Sequence, residues 1–340
     1  MKQILQITAI VFLAAISITA FGQNEDVSSL QQTARSLMRQ GDYENALKVI
    51  DKGLTNNPDN FDLLKDKAFV SYLKRDFSTA IEVGKQITAR PDADVQSFQI
   101  LGLAYKAIAE NKESEKMYKN ALKKFPNSAV LYSEFGEMLN LSNRKADAIE
   151  QWEKGIAADP NYSSNYYFAA KYYAEENRLI RSLLYAETFV NMESFSGRTS
   201  EIKKLLIEDY QKLFSSPNSV LDIPAKSNAF EKTVAEEFGK LINMMQDGVT
   251  PETLTAFHTR FTLNWFNSDA RKYPFRLFEH YRLLLQQGYF DAYNQWLIGA
   301  ESDTGQYQAW VNSHPDEVKA FQHYQKSVVY KIPDGQYYPN

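Results

Sequence analysis

A spacing of 34 residues constrains this chain more than any other feature of its sequence. Small residues recur at that step in two series that run in phase: Ala46, Ala80, Ser114, Ala148 and Ser182 form one, and Ala34, Ala68, Gly102, Gly136 and Ala170 form the other. Prolines follow the same spacing at Pro58, Pro126 and Pro160. Self-similarity at this period predicts an array of helical hairpins, in which small residues let neighbouring helices approach closely.

The residues around these positions resemble the tetratricopeptide repeat (TPR) family. The third unit matches the family pattern best, with Phe98, Leu101, Gly102, Tyr105, Tyr118, Ala121 and Pro126. Four further units keep parts of the pattern in the same register, although the second has Gly84 where a large residue is expected and the fifth, residues 163–196, lacks the closing proline. The resemblance implies an all-α fold, a right-handed TPR-type superhelix over roughly half the chain.

The patterns divide the chain into four predicted segments. Residues 1–22 are a signal peptide, and residues 24–214 are a repeat array of five hairpins and a capping helix. Residues 215–228, which hold two prolines and a cluster of turn-forming residues, are a linker. Residues 229–340 form an aromatic-rich helical C-terminal domain, in which Thr250 followed by a proline predicts the start of a helix.

The N-terminal segment predicts export. Lys2 precedes an apolar run from Ile4 to Ala20, and small residues stand at Ala20 and Gly22, the two positions that a signal peptidase reads. We expect cleavage after Gly22, a periplasmic or secreted protein, and no stable membrane insertion afterwards; an uncleaved membrane anchor is the alternative. The chain has no cysteine, so its stability must come from packing rather than from disulfides.

No motif in the sequence predicts catalysis, a metal or a cofactor. Histidine is scarce, and we expect all of its copies to be surface or partly packed residues: His258, His280, His314 and His323. The net charge is −4 and there is no dense basic patch, so the sequence does not favour nucleic acid as a partner.

The resemblance implies a binding groove on the concave face, which is lined by the first helix of each hairpin. We call the following residues the predicted groove: Arg35, Arg39, Lys65, Phe69, Tyr72, Gln99, Lys106, Tyr167 and Lys171. Cations beside aromatic rings favour a peptide with acidic and apolar groups.

The C-terminal half suggests a second kind of site. Its tryptophans, Trp265, Trp296 and Trp310, are interpreted first as parts of a helical core, and alternatively as an aromatic cleft for a glycan or a peptide. The sequence therefore predicts a non-enzymatic scaffold or adaptor for a protein or peptide in the bacterial cell envelope. A carbohydrate- or cell-wall-binding protein and an unrecognised hydrolase are the alternatives. The sequence specifies neither the partner nor the oligomeric state.

Overall fold

The computed structural model of the chain describes residues 26–216, 220 and 227–338. The predicted signal peptide and most of the predicted linker lie outside these residues. Within described residues 27–192, ten helices pair into five antiparallel hairpins: α1 (Val27–Arg39) with α2 (Tyr43–Asn56), α3 (Phe61–Leu73) with α4 (Phe77–Thr88), α5 (Val95–Ala107) with α6 (Asn111–Lys124), α7 (Ala129–Leu141) with α8 (Lys145–Ala158), and α9 (Ser163–Glu175) with α10 (Leu179–Met192). The predicted all-α solenoid is confirmed.

A residue in the left-handed backbone region turns each of the five hairpins. These residues stand 34 positions apart at Gly41, Arg75, Ala109, Asn143 and Asn177, and their φ angles lie between 53° and 79°. Glycine adopts this conformation without a steric cost, whereas a β-carbon makes it unfavourable. All five hairpin turns therefore share the same left-handed geometry, although only the first has a glycine at this position.

Close helix crossings explain the small residues that define the repeat. Gly136 of α7 faces the ring of Trp152 in α8, where a β-carbon would collide with the indole. Trp152 is 2% exposed, and its Nε1 donates a hydrogen bond to the carbonyl oxygen of Ser133 at 3.2 Å. The missing side chain thus allows the largest buried ring of the array to lie directly against a helix backbone.

The C-terminal region is also helical, as the sequence predicts. The capping helix α11 (Gly197–Leu213) is followed by α12 (Ala229–Gly239), a 3-10 turn (Ile242–Met245), α13 (Pro251–Ser268), α14 (Arg276–Gln287), α15 (Phe290–Asn294), a π-helical turn (Gln295–Gly299), α16 (Ala300–Ser302), α17 (Thr304–Ser313) and α18 (Pro315–Ser327). Thr250 caps α13, where its side chain accepts a hydrogen bond from the backbone of Thr253. The predicted helix start at this position is confirmed.

The C-terminal helices pack on α10, the last helix of the five hairpins. Every residue of α10 from Leu179 to Val190 is buried, whereas α6, the equivalent helix of the third hairpin, buries only one face. A single hydrophobic core then runs from Ala93 to Tyr338, and smaller separate clusters hold the first two hairpins together. The two predicted domains thus share one core.

A buried polar network joins the same two regions. Glu187 of α10 is 1% exposed and accepts hydrogen bonds from the hydroxyls of Tyr281 at 2.6 Å, Tyr293 at 2.9 Å and Tyr210. The Nε2 atom of His258 lies 3.6 Å from the same carboxylate. Because an unpaired buried carboxylate is costly, these partners fix α10 against α11 and the C-terminal helices.

The end of the chain returns to the repeat array. We call residues 330–338 the C-terminal strap. Asn161, in the loop between α8 and α9, exchanges two hydrogen bonds with the backbone of Ile332, at 2.8 and 3.1 Å. Tyr338 is 1% exposed and lies under the guanidinium of Arg181, 4.9 Å from the centre of its ring. The strap has no regular secondary structure, but these contacts anchor it to the repeat array.

Candidate functional site

The first helices of the hairpins form one continuous inner layer. Successive members contact each other along the array, α1 with α3, α3 with α5, α5 with α7, α7 with α9 and α9 with α11, and the second helices stand further apart. In a superhelix the more closely spaced layer is the concave one. The predicted groove residues all belong to this layer, on α1, α3, α5 and α9.

The cations of the predicted groove are paired with carboxylates from the next hairpin. Four contacts repeat along the layer: Arg35 with Asp66 at 3.1 Å, Lys65 with Asp94 at 2.7 Å, Lys106 with Glu137 at 3.0 Å, and Lys171 with Glu201 at 2.6 Å. Gln99 donates to Glu134 at 2.8 Å, and the hydroxyl of Tyr167 donates to Glu201 at 2.7 Å. We call this series the ion-pair ladder.

The ladder cancels most of the positive charge that the sequence suggests for this face. Arg39 differs, because it is exposed and has no ion-pair partner among the residues that the structure describes. Lys65, by contrast, is buried and doubly paired: it is 8% exposed and forms ion pairs with both Asp62 and Asp94. Within the described residues, the inner face is therefore a series of internal ion pairs, and Arg39 is an unpaired cation at its N-terminal end.

Aromatic side chains of the predicted groove fall into two groups. Phe69 and Tyr72 of α3 are half-buried and stack with their ring centres 6.4 Å apart. Tyr167 is 8% exposed and lies beneath two cations, with Lys171 and Arg198 each 5.0 Å from its ring centre. Of these rings, the Phe69–Tyr72 pair is the one that offers surface to a partner.

The three C-terminal tryptophans do not form a common cleft. Trp265 is 1% exposed within the core, as the first interpretation predicts. Trp296 is covered by Lys203, whose Nζ lies 4.0 Å from the ring centre and donates to the backbone carbonyl of Trp296. Burial lowers the pKa of Lys203 to about 8. Trp310 remains half-exposed, so the alternative of a three-tryptophan cleft is wrong in this form.

The expectation that all four histidines are surface or partly packed residues is wrong for two of them. His258 is 1% exposed and His280 is 5% exposed, because aromatic rings of the C-terminal core surround both. Burial, reinforced by nearby Arg276, lowers the pKa of His280 to about 3, so this ring is neutral near pH 7. Position in a helix alone did not distinguish these residues from the exposed His323.

The buried Glu187–His258 pair resembles an acid–base pair but is closed to solvent. Burial alone would raise the pKa of Glu187, but the charge and hydrogen bond of His258, with the tyrosine hydroxyls, outweigh it and hold the pKa below its ordinary value. A catalytic group must reach its substrate, and both side chains are enclosed. We therefore assign the pair to packing.

A cavity of about 400 Å³ lies on the other side of the array, between α4 and α6. Its floor consists of buried apolar side chains from α5 and α6, including Phe98 and Met117, and its rim carries Lys85 and Lys116. Neither lysine has an acidic partner within the described part of the chain. Sequence reasoning missed this cavity, although the lysines that recur on the outer faces of α4 and α6 were the available signal.

The described residues contain neither a membrane-spanning helix nor a cluster of metal-binding side chains. No helix among residues 26–216, 220 and 227–338 is long and apolar enough to cross a membrane. The same residues contain no group of three or more histidine, aspartate or glutamate side chains arranged to hold a metal ion.

Stacked helical hairpins with a continuous inner layer define the chain as an α-α solenoid over residues 27–213. Within that class, residues 32–94 match the family model described as "Tetratricopeptide repeat". The human protein named tetratricopeptide repeat protein 21B is 27% identical over 199 residues, which are 56% of this chain and 15% of that protein. The chain therefore spans only a small part of that relative.

Several solved TPR structures match part of the chain. A thermophilic TPR protein of Thermus thermophilus has a TM-score of 0.44 and 17% identity, and the match covers 54% of this chain and 98% of that one. A tetratricopeptide repeat protein from Parabacteroides merdae has a TM-score of 0.43 and 10% identity, over 75% and 96% of the two chains. YrrB, described as a TPR protein with an unusual peptide-binding site, has a TM-score of 0.39 and 18% identity, over 54% and 94%.

Proposed function

We propose that this protein is a non-enzymatic scaffold or adaptor that holds another protein or a peptide on the inner face of its repeat array. TPR proteins serve as protein-interaction scaffolds, and the match to that family supports this function. The observation that carries the proposal is the half-buried Phe69–Tyr72 pair on α3, the helix that contributes Asp66 and Lys65 to the first two steps of the ion-pair ladder. An apolar anchor beside charged groups suits a peptide that carries both.

The ion-pair ladder determines which charges a peptide needs in order to bind the inner face. Exposed ion pairs contribute about 0.2–1 kcal/mol each, so a carboxylate of the partner can replace Glu137 at Lys106 without a large loss. The pair Lys106–Glu137 is suited to such exchange, since each side chain is about one third exposed, at 35% and 33%. The partner we expect has an apolar side chain for the ring pair and charges of both signs, rather than a uniformly acidic segment.

We further propose that the protein is exported to the cell envelope. The support is the N-terminal sequence alone, in which Lys2, the apolar run and the small residues at Ala20 and Gly22 follow the order of a secretory signal. Mass spectrometry of the protein from its native cells tests this directly. A mature chain that begins at Gln23 supports export with cleavage, and a chain that retains residues 1–22 supports the membrane anchor.

Affinity capture with variants on different faces tests the binding surface. The wild-type protein and the double variant Phe69→Ala, Tyr72→Ala serve as baits in envelope extract. The matched control is Phe195→Ala, which removes a ring that is 72% exposed and lies in the loop between α10 and α11. Thermal melting first confirms that each variant is folded.

We expect the double variant to lose the partner that the wild type and Phe195→Ala retain, with about 1–2 kcal/mol lost for each anchor ring. A further variant, Lys85→Glu with Lys116→Glu, probes the cavity between α4 and α6. If this variant loses the partner and the ring variant keeps it, the partner binds the outer cavity and the proposal for the inner face is wrong. If neither variant changes capture, the repeat array is not the binding surface.

A further inference from the structure

A second cavity, of about 180 Å³, lies in the C-terminal region, away from the repeat array. We call it the π-turn cleft because the π-helical turn Gln295–Gly299 forms one of its walls. The other walls come from the start of α13 and from α17. Its lining includes the side chains of Glu252, Gln295, Asp303, Gln306, Tyr307 and Trp310.

Gly299 has no side chain, so the side chains of Gln295 and Tyr307 lie directly against the backbone of the π-helical turn. A β-carbon at Gly299 would lie 2.7 Å from the Oε1 atom of Gln295 and 3.0 Å from the Cδ2 atom of Tyr307. π-Helical turns inside helices are frequent at functional sites, since the extra residue redirects the side chains around it. Here the turn brings the buried amide of Gln295, 5% exposed, against the cleft.

The polar groups of the cleft are positioned by hydrogen bonds. The Nε2 atom of Gln295 donates to Oε1 of Glu252 at 3.1 Å. Asp303 caps α17, because one carboxylate oxygen accepts from the backbone N–H of Gln306 at 2.9 Å and the other accepts from the side-chain amide of Gln306 at 3.2 Å. The cleft therefore presents both acceptors and donors in fixed positions, which limits the entropy lost when a ligand binds.

One wall of the cleft is aromatic. Trp310 is half-exposed, and the ring of His314 stacks against it with the centres 4.8 Å apart and the planes 12° apart. Tyr307 stands one helical turn before Trp310 on α17 and is half-buried. The stacked histidine restrains the indole, so the aromatic wall is held in place before any ligand arrives.

The charged residues that line the cleft restrict the chemical class of ligand that it can bind. Among the described residues, the lining contains two carboxylates and no lysine or arginine, which disfavours an anion. A cation is also disfavoured, because both carboxylates already accept hydrogen bonds and the N-termini of α13 and α17 add positive potential at the cleft. A neutral molecule with many hydroxyl groups and one apolar face satisfies the donors, the acceptors and the aromatic wall together.

We propose that the π-turn cleft binds a single neutral hexopyranose ring, either as a free sugar or as one unit of a glycan. The apolar C–H face of the sugar packs on the wall formed by Trp310 and Tyr307. Its hydroxyls donate to Glu252 and Asp303 and accept from the amide of Gln306. This site is separate from the protein-binding face proposed above, and its failure would leave that proposal untouched.

Saturation-transfer NMR and calorimetry on the full chain test the site with defined probes: glucose, galactose, N-acetylglucosamine and the β-1,4-linked trisaccharide of N-acetylglucosamine. One ring held on one side binds weakly, with a Kd of about 1 mM. We expect binding of at least one of these sugars and a loss of at least tenfold in affinity for Trp310→Ala and for Gly299→Ala, whose β-carbon displaces the side chains of Gln295 and Tyr307. The control Phe195→Ala should bind as the wild type does. A trisaccharide that binds more tightly than the single sugar indicates a glycan as the natural ligand.

Three results would overturn the proposal. The first is that none of the sugars binds to the folded wild-type protein. The second is that binding persists unchanged in both Trp310→Ala and Gly299→Ala. The third is that tetramethylammonium or arginine, used as cationic probes, binds at the cleft in place of the sugars. If Gly299→Ala is shown by its thermal melt to be unfolded, Gln306→Ala, which alters an exposed side chain of the same cleft, replaces it.

Discussion

At the scale of single residues, the left-handed turns are the most regular feature of the structure. Five of them recur at the repeat spacing, but Gly41 is the only glycine among them. Asparagine tolerates this conformation better than other residues with a side chain, so Asn143 and Asn177 are mild replacements. Arg75 and Ala109 are the strained ones, at φ angles of 65° and 55°.

Replacing Ala109 with glycine should therefore stabilise the protein. The β-carbon that opposes the left-handed conformation is removed, and the gain exceeds the extra entropy of the unfolded chain, giving about 0.5–1 kcal/mol. Thermal or urea unfolding measures this change. Ala107→Gly is the matched control, since residue 107 is exposed in the last turn of α5 and its replacement should lower stability. Equal effects at the two positions would contradict the explanation.

Asp209 of α11 is a buried carboxyl group, and the Nζ atom of Lys212 lies 3.9 Å from its Oδ1 atom. It is 0% exposed, and neither side-chain oxygen is hydrogen-bonded within the described residues. The hydroxyl of Ser182 lies toward it but donates to the carbonyl oxygen of Ala170 at 2.9 Å. Burial raises the pKa of Asp209 from its ordinary value of 3.8 to about 6.

This shift has a definite consequence for stability. Because the folded state holds the proton more tightly than the unfolded state, the carboxyl group costs no stability below pH 4 and progressively more as the pH rises to 6. Asp209→Asn should be more stable than the wild type by about 2–3 kcal/mol at pH 7, and the difference should vanish near pH 4. Urea unfolding of both proteins at several pH values measures it. A difference that does not change with pH would show that ionisation of Asp209 is not the cause.

Sequence patterns predicted the positions of the groove cations but not their partners. The first-helix positions follow from the repeat register, so Arg35, Lys65 and Lys106 could be assigned to one layer. Their partners Asp66, Asp94 and Glu137 stand 29 to 31 residues further along the chain. This offset is about one helical turn shorter than the 34-residue repeat. A search of the sequence at that offset would have found the ladder, since the same spacing gives Lys171 and Glu201.

At the scale of helices, the crossing of α7 and α8 depends on the absence of one methyl group. Gly136→Ala should cost about 1–3 kcal/mol, because its β-carbon meets the backbone-facing edge of the buried Trp152 ring, which has no space to move. Gly197→Ala is the control, since a β-carbon there has no heavy atom within 4 Å. Thermal melts compare the two. A melt of Gly136→Ala that matches the wild type would contradict the assigned crossing.

Most helices could be predicted from the sequence, but their assembly could not. Thr250 with Pro251, and Gly288 after α14, are local signals that fix helix ends. The packing of α12 and α14 on α10 depends on contacts between residues far apart in the chain, such as Tyr281 with Glu187, and no local pattern encodes these pairs. The available hint was α10 itself, whose sequence lacks the charged outer face of α6.

At the scale of the whole molecule, buried ion pairs join the repeat array to the C-terminal region. Glu231 of α12 is 2% exposed, and its carboxylate pairs with Arg178 at 2.7 Å and with Arg181 at 3.1 Å, both from the last hairpin. Together with the Glu187 network, these contacts cross the predicted domain boundary in the interior. The predicted linker at 215–228 thus separates the two regions along the chain but not in space.

Residues 24–214 produced as a separate chain should associate or precipitate, because the apolar outer face of α10 would be left in water. Addition of residues 229–340 during refolding should restore a soluble one-to-one complex, which size-exclusion chromatography detects. A soluble monomeric fragment 24–214 with the melting temperature of the full chain would show that the shared core contributes little. Arg181→Met in the fragment 24–214 tests the ion pairs and should weaken the reconstituted complex.

The C-terminal strap makes the two ends of the repeat array differ in local stability. Asn161 and Ile332 close a loop around the last hairpin, so the far end of the solenoid cannot fray, whereas α1 to α4 rest on their own small clusters. In repeat arrays each unit is supported mainly by its neighbours, and local opening begins where support is least. Amide hydrogen exchange should therefore grade from fast at α1 to slow at α10. A partner that binds the Phe69–Tyr72 pair would therefore contact the end of the array that opens most easily, while the other end stays fixed by the C-terminal strap.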